Sequence, residues 1–207
     1  MAISQTSTAK TLRTHLRRQL LDARAALTPA EHSRLSAAVC AHLLPWFTAQ
    51  TVSSVGFCLP FRGECDIIPL AQTLHQKGWL MAVPVAAKVA TAMEFRCWEP
   101  GCLMETDRHG IAIPATAVCA PPQNLLLPLV GVDHAGFRLG YGGGYFDRTV
   151  AALAAAGQRP ICIGVGFELA RVDTIAPCVH DQALNWLVTE SGIRSLDGKP
   201  PSRDDVG

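Results

Sequence analysis

The sequence has little net charge, no long hydrophobic run and no export signal. Its formal net charge is +1 and its basic residues form no long run, so neither nucleic acid nor an anionic membrane is expected as a partner. No stretch reaches the roughly 20 apolar residues that a membrane span needs. The first residues, MAISQTSTAKTLRTHLRRQ, contain no apolar core of a signal peptide. We therefore expect a cytoplasmic protein.

Several chemical motifs are also missing. The eight cysteines include no C-x-x-C pair, and some lie inside apolar runs such as VGFCLP and ICIGVG. This pattern predicts reduced, buried thiols and no zinc site. The chain has no G-x-S-x-G, H-E-x-x-H or G-K-[ST] motif. It therefore gives no sign of a hydrolase nucleophile, a zinc protease or a P-loop.

What the sequence does contain is enough apolar material for one core. Of the 207 residues, 49% are hydrophobic, which predicts a single globular domain over residues 1–193. The polar, proline-containing tail at 194–207 is predicted to be disordered. The alternation of elements, with several strands continuously apolar, predicts an α/β fold in layers, a mostly parallel sheet flanked by helices.

The boundaries of these elements follow from caps, breakers and periodicity. Helices are predicted over 8–27, from Pro29 to Leu44 with Pro45 ending the helix, over 67–78 and over 147–157. Strands are predicted over 52–59, 79–86, 93–100, 124–133, 161–168 and 185–190, with a short extended piece at 110–114.

Residues 138–148, RLGYGGGYFDR, combine four glycines with two tyrosines, a phenylalanine and an aspartate between two arginines. A flexible turn is one interpretation. The other is a phosphate loop, because the segment follows a buried strand and opens a helix, where free N–H groups and the positive helix end favour anions. Arg138 and Arg148 would supply charge, and Asp147 is a hard-oxygen ligand suited to Mg²⁺.

The longer string PLVGVD-HAGF-RLGYGGGYFDR resembles the signature of the 5-formyltetrahydrofolate cyclo-ligase family, also called methenyltetrahydrofolate synthetases. The likeness extends over nearly the whole chain. Lys10 with Leu12-Arg13 resembles the K-x-x-L-R element, CLPFRGECD resembles a strand-end loop with a glutamate, and PCVHDQALNWLVTE resembles the closing H-D-x-x-L-D-x-x-[IV]-T-E segment. The resemblance implies an ATP- and Mg²⁺-dependent ligase that converts 5-formyltetrahydrofolate to 5,10-methenyltetrahydrofolate, ADP and phosphate.

The same resemblance implies a role for individual residues. ATP would be bound by Lys10, Arg13, Arg138, Leu139, Gly140, Tyr141, Gly142, Gly143, Gly144, Tyr145 and Phe146. Asp147 and Asp181 would bind Mg²⁺. The reduced folate would contact Leu59, Phe61, Glu64, Trp98 and Tyr145. Catalysis would rest on positioning by Arg138, Tyr145 and Arg148 and not on a nucleophilic side chain, and the protein is expected to be a monomer.

Each assignment has a purely structural alternative. Lys10 and Arg13 are also typical of a solvated helix face, Asp147 of a helix N-terminus, Asp181 of a loop cap and Glu64 of an exposed loop. Leu59, Phe61 and Trp98 are equally typical of the core. Two positions depart from the family pattern, since Gly143 stands where some members have lysine and Asn185 where aspartate is frequent. Arg148 is the candidate to replace that lysine.

The function also has two alternatives. A paralogue could use the same ATP loop with a different acceptor. A non-catalytic nucleotide-binding protein could retain the scaffold, although it would have no reason to keep Lys10, Arg13, Glu64 and Asp147 together.

Overall fold

Eight strands form one sheet with a parallel centre. The computed structural model of the chain describes residues 2–107 and 110–196. The helices are α1 (Ala2–Ala25), α2 (Pro29–Thr48), α3 (Ile68–Gln76) and α4 (Tyr145–Ala155). The strands are β1 (Ser54–Phe57), β2 (Leu80–Val85), β3 (Glu94–Trp98), β4 (Met104–Thr106), β5 (Ala112–Pro114), β6 (Val118–Cys119), β7 (Asn124–Pro128), β8 (Gly131–Val132), β9 (Arg138–Leu139), β10 (Ile161–Val165), β11 (Trp186–Thr189) and β12 (Gly192–Ser195).

The strand order of the main sheet is β12-β11-β10-β7-β1-β2-β3-β6. The five central strands from β11 to β2 run parallel, and β12, β3 and β6 add antiparallel edges. After β1 the chain continues to the neighbouring strand β2, and after β7 it continues, in the opposite direction along the sheet, to the neighbouring strand β10. The carboxyl ends of β1 and β7 therefore diverge at a topological switch point, where open α/β sheets form their binding crevices. The α/β prediction of a mostly parallel sheet flanked by helices is confirmed.

Helices cover both faces of this sheet. Against one face, α2 and α3 bury Leu43, Phe47 and Leu74 together with Phe57 of β1. Against the other face, α4 packs through Leu153. The central strand β7 is buried through Asn124–Leu127, as its continuously apolar sequence predicts for a strand covered on both sides. None of the described helices has the length and apolar composition needed to cross a membrane.

Helix α1 lies against the hairpin formed by β8 and β9. Leu20 packs with Val130, Leu139 and Ile175 in a small separate core. A Cβ on Gly131 would lie 2.7 Å from Cδ1 of Leu20, so glycine at this position allows the helix to approach the hairpin closely. This contact brings the arginines of α1 to the carboxyl edge of the sheet.

Two predicted boundaries are wrong. Pro45 does not end the second helix, which continues to Thr48. The two residues after it explain why: Trp46 packs edge-on against Trp186 at 5.8 Å, and the buried Phe47 packs against Trp79 at 5.2 Å. Burying two aromatic side chains, at about 1.5–3 kcal/mol for a side chain of phenylalanine size, offsets the hydrogen bond that proline removes near the helix end.

The second wrong boundary is the strand predicted over 124–133. It ends at Pro128, and the chain reverses through the β8–β9 hairpin. Asp133 closes that hairpin, because its Oδ1 accepts from the N–H groups of Ala135 and Phe137. At the other end of the chain, Gly192–Ser195 form strand β12. The rest of the predicted tail, from residue 197, lies outside the described residues.

Candidate active site

A cleft of about 1040 Å³ opens at the carboxyl edge of the sheet, where β1 and β7 diverge. Cys58 and Leu59, which follow β1, and Pro128 at the end of β7 form its floor. The segment from Gly140 to Gly144, called here the glycine loop, forms one wall with the start of α4. Arg13 and Arg17 of α1 complete the cleft on that side. The cleft therefore brings the predicted phosphate loop and the predicted folate loop together.

Two residues of the glycine loop have positive φ angles, a backbone conformation that favours glycine. Gly142 has φ +100° and Gly144, the N-cap of α4, has φ +63°, a region that disfavours side chains. Leu139 precedes the loop in β9 and is completely buried against α1. Helix α4 then begins at Tyr145, so its positive amino-terminal end lies at the cleft wall, as an anion site requires.

Asp147 lies in the first turn of α4 and is paired with Arg138. Nη2 of Arg138 donates to Oδ1 of Asp147 at 3.0 Å, and the N–H of Gln182 donates to the same oxygen at 3.0 Å. Arg138 is only 5% exposed. The other carboxylate oxygen, Oδ2, has no hydrogen bond or ion pair with any residue that the structure describes. Asp147 therefore keeps one charged oxygen for a ligand at the cleft wall.

Asp181 is engaged by protein groups on both oxygens. Arg13 donates to Oδ2 at 2.7 Å and to Oδ1 at 3.2 Å, and the N–H of Cys178 donates to Oδ2 at 2.6 Å. Burial opposes ionisation of Asp181, but the hydrogen bonds from Arg13 and Cys178 outweigh it and lower its pKa. In this structure Asp181 thus fixes Arg13 across the cleft, and both of its oxygens accept hydrogen bonds from protein groups.

Arg17 contributes to the cleft although the sequence motifs do not single it out. Its Nε donates to the carbonyl of Gly140 at 2.7 Å. Burial, and then the nearby charge of Arg13, lower the pKa of Arg17, so this cation lies in an unfavourable environment that a bound anion would relieve. The signal that could have found it is the spacing of four from Arg13, which places both residues on one helix face.

Arg148 reaches back from α4 to the glycine loop. It donates to the carbonyl of Gly143, and its guanidinium lies 5.2 Å from the centre of the Tyr145 ring. A Cβ on Gly143 would lie 2.8 Å from that same ring. Glycine at 143 thus allows Tyr145 to pack against the loop, while Arg148 brings positive charge to it.

Glu64 faces the cleft from the loop after β1 and is only 6% exposed, so its alternative as an exposed loop acid is wrong. The Tyr141 hydroxyl donates to Oε1 at 3.0 Å, and the N–H of Phe61 donates to Oε2 at 3.1 Å. Burial raises the pKa of Glu64 more than these hydrogen bonds and the charge of Arg24 lower it. Leu59 and Phe61 line the cleft beside Glu64.

Three predicted site residues lie outside the cleft wall, among them Leu139 of β9, which has no exposed surface. Lys10 is exposed on α1 and outside the cleft wall, as the solvated-face alternative predicts. Trp98 is buried in the core, edge-on to Phe57 at 5.0 Å, so the core alternative describes it and no surface is left for the predicted folate contact. Asn185 is also structural, because its Oδ1 accepts from the N–H of Cys162 in β10.

Comparison with known proteins identifies relatives of this architecture. The model of the 5-formyltetrahydrofolate cyclo-ligase family matches residues 9–190. The chain is 29% identical to the 5-formyltetrahydrofolate cyclo-ligase of Escherichia coli strain K12 over 176 residues, which is 82% of this chain and 96% of that protein. It is 29% identical to the protein of the same name from Mycolicibacterium smegmatis over 164 residues, 73% of this chain and 82% of the relative.

Solved structures show the same fold. A 5,10-methenyltetrahydrofolate synthetase of Aquifex aeolicus superposes with a TM-score of 0.74 at 26% identity, covering 91% of this chain and 95% of that one. A 5,10-methenyltetrahydrofolate synthetase of Mycoplasma pneumoniae gives a TM-score of 0.70 at 22% identity, with 86% and 98% coverage.

Proposed function

The chain belongs to the 5-formyltetrahydrofolate cyclo-ligase family and is therefore an enzyme, and on that premise we propose that it converts 5-formyltetrahydrofolate and ATP to 5,10-methenyltetrahydrofolate, ADP and phosphate. The observation that supports this most directly is the single cleft, which joins the glycine loop to the apolar wall around Glu64. The predicted cytoplasmic location, the monomeric state and the domain limits 1–193 stay predictions.

The nucleotide end of the cleft has the charge that a triphosphate needs. Arg13 and Arg138 are already neutralised by Asp181 and Asp147. Arg17 and Arg148 make their hydrogen bonds to the loop carbonyls of Gly140 and Gly143 and not to carboxylates. The loop therefore carries uncompensated positive charge, in addition to the helix end of α4. Both favour a polyanion against bare glycine backbone.

The acceptor end of the cleft suits a flat heterocycle with N–H donors. Leu59, Phe61, Val83 and Ile113 give it apolar walls. Glu64 is the carboxylate among them, and carboxylates accept hydrogen bonds from ring N–H and amino groups. An apolar pocket with a few polar groups is typical of sites for small molecules, and the pterin ring of a reduced folate has this chemistry.

The reaction needs positioning and charge neutralisation more than a nucleophilic side chain. The formyl oxygen attacks the γ-phosphorus of ATP, the bond to the β-phosphate oxygen breaks, and ADP departs. N10 then attacks the activated formyl carbon, the C–O bond of that carbon breaks as phosphate leaves with the electron pair, and the N10 proton passes to the departing phosphate. Arg138, Arg148 and Tyr145 would hold the phosphates in line with that oxygen, and the cleft would exclude water.

The residues present fit a magnesium ion held together with phosphates. Mg²⁺ is usually bound by one or two carboxylates plus substrate phosphates and waters. Asp147 offers one unengaged oxygen at the start of α4, whereas Asp181 would first have to release Arg13. No cluster of three or more acidic, histidine or cysteine side chains occurs among the described residues. Bound at Asp147, magnesium would supply charge neutralisation for the β- and γ-phosphates.

The direct test is an absorbance assay. Purified protein mixed with 5-formyltetrahydrofolate, ATP and magnesium should form the methenyl product, which absorbs in the near ultraviolet, and should release one phosphate for each product formed. A folded protein that forms no product would refute the proposal. ATP turnover with a different formylated or carboxylated acceptor would identify a paralogue. ATP binding without turnover, whatever folate is added, would identify a non-catalytic binding protein.

Arg17→Met should weaken ATP binding about 10-fold. A charge-assisted hydrogen bond contributes about 1.5–3 kcal/mol, and the expected loss is at the low end of that range because the rest of the backbone still holds Gly140 in place. Isothermal titration calorimetry with ATP and magnesium measures this change. Arg18→Met is the matched control, since Arg18 is exposed on the same helix and lies outside the cleft wall. Equal affinity of both variants would exclude Arg17 from the nucleotide site.

A further inference from the structure

Arg24 is a buried cation with no carboxylate in contact. It is 6% exposed and donates to the carbonyls of Arg62 and Leu129, at 3.1 and 3.0 Å, and to the Tyr141 hydroxyl oxygen at 2.7 Å. Among the described residues it forms no ion pair. Burying an uncompensated charge is costly. The bond to Tyr141 connects Arg24 to a negative charge, because the same hydroxyl also contacts the carboxylate of Glu64.

The direction of the hydrogen bonds follows from the chemistry of the donors. A guanidinium only donates, so the oxygen of Tyr141 accepts from Arg24 and its hydroxyl proton is left for another acceptor. Oε1 of Glu64, at 3.0 Å, lies nearer to it than the carbonyl of Phe61, at 3.4 Å. Since Oε2 of Glu64 accepts from the N–H of Phe61, both oxygens of Glu64 act as acceptors. This arrangement fits a carboxylate and leaves no place for a carboxylic acid proton on either bond.

We propose that Arg24 and Tyr141 are positioning residues for Glu64: Arg24 orients the Tyr141 hydroxyl, and that hydroxyl holds Glu64 as a carboxylate facing the acceptor part of the cleft. This inference deepens the proposed function and rests on it for the identity of the acceptor. It gives Tyr141 a role that its place in the glycine loop does not predict. It also links that loop to the acceptor pocket through one side chain.

Burial of Glu64 opposes its ionisation, so the two donors decide its state at neutral pH. Without the Tyr141 hydroxyl, the carboxylate loses one hydrogen bond and the link to the Arg24 charge, and its proton affinity rises. Among the described residues, the titratable or charged side chains that face Glu64 or its backbone are Arg24 from α1, His32 from α2, Cys58 after β1 and Tyr141 from the glycine loop.

The first experiment needs no substrate. The chain has only two tyrosines, so protein labelled with carbon-13 at the tyrosine hydroxyl-bearing carbon gives two signals, and Tyr141→Phe assigns them. The Tyr141 signal should show a titration step between pH 4 and 8, with a midpoint above the usual glutamate value of about 4.3. That step should vanish in Glu64→Gln. A flat signal overturns the proposal, and so does a step that persists in Glu64→Gln.

The second experiment is the pH profile of kcat/KM for the folate. In Tyr141→Phe the acid limb should move up by about one pH unit, so the loss of kcat/KM should be larger on the acid side of the profile than on its plateau. A loss of equal size at every pH would indicate a merely structural role and overturn the proposal. If the wild-type protein forms no methenyl product, the proposed function fails, and the tyrosine titration still decides the role of Tyr141.

Arg24 is tested separately with Arg24→Gln, which keeps a donor for Tyr141 but removes the charge. The acid limb should move in the same direction as in Tyr141→Phe. An unshifted limb in a folded Arg24→Gln protein would remove Arg24 from the proposal. Where circular dichroism shows that this variant does not fold, Arg24→Lys takes its place: lysine cannot reproduce the three-way fork of Arg24, so the limb should again move up, and an unshifted limb would remove Arg24 from the proposal.

Discussion

Replacing Asp147 with asparagine should lower kcat by about 10²- to 10³-fold, the effect of losing a group that stabilises transition-state charge, while the protein stays folded. Asparagine retains an acceptor oxygen for Arg138 and for the N–H of Gln182, both of which bond to Oδ1. It lacks the charge on Oδ2, the oxygen that the protein leaves unengaged. Steady-state kinetics at saturating ATP, with magnesium varied, measure the loss. The variant should also require more magnesium for half-maximal rate.

The asparagine variant is preferable to alanine for a structural reason. Asp147→Ala would remove the acceptor oxygen as well as the charge, which leaves the buried guanidinium of Arg138 and the N–H of Gln182 without this partner, and an unsatisfied buried donor costs about 1–3 kcal/mol. A loss of activity would then be mixed with a loss of stability. Asp173→Asn is the matched control, because Asp173 is fully exposed and lies outside the cleft wall. Wild-type kcat in Asp147→Asn would remove Asp147 from the reaction.

The part of the site that the sequence predicts is the part contained in one continuous segment. The loop from Arg138 to Arg148 lies between a strand and a helix, so its chemistry and its place at the sheet edge can be inferred together. The same holds for Glu64, which follows β1 directly. Apart from the buried Leu139, these residues line one cleft in the structure.

Contacts between distant segments could not be predicted in the same way. Arg13 and Asp181 are 168 residues apart in sequence, and nothing local indicates that they pair. Arg17 and Arg24 follow the helical spacing of Leu20, but basic residues on an amphipathic helix are as typical of a solvated face. The packing of Leu20 against Gly131, Val130 and Leu139 in the folded protein turns this face of α1 toward the cleft.

The predicted strand end was wrong where the apolar sequence continues past the end of the strand into a hairpin. The run from Asn124 to Asp133 reads as one strand by composition, yet Pro128 ends the pairing with β10 and the next residues form a hairpin.

Trp98 shows a similar ambiguity for function, since a tryptophan on a strand near the site is compatible with stacking on a ligand and with the core. Its partner Phe57 could be identified only from the fold.

Gly140→Ala should lower kcat/KM for ATP by about 10²-fold without destabilising the protein. A Cβ at this position would meet no protein atom within 4 Å, and Gly140 is not in the left-handed region. Alanine is therefore compatible with the backbone and should leave the thermal midpoint unchanged or slightly raised, by about 0.4–1 kcal/mol of unfolding free energy. The methyl group would occupy space only where a phosphate lies against the backbone, and a displacement of about 1 Å suffices for a loss of this size.

Gly142→Ala is the matched control, because the two glycines serve different purposes. Gly142 has φ +100°, so alanine there costs about 1–2 kcal/mol through the backbone and should lower the thermal midpoint with or without ATP. Kinetics and thermal unfolding of both variants thus separate conformational strain from close approach of a ligand. If Gly140→Ala keeps the wild-type KM for ATP and the wild-type kcat, the empty space beside Gly140 holds no phosphate, and the glycine loop is only a turn that connects β9 to α4.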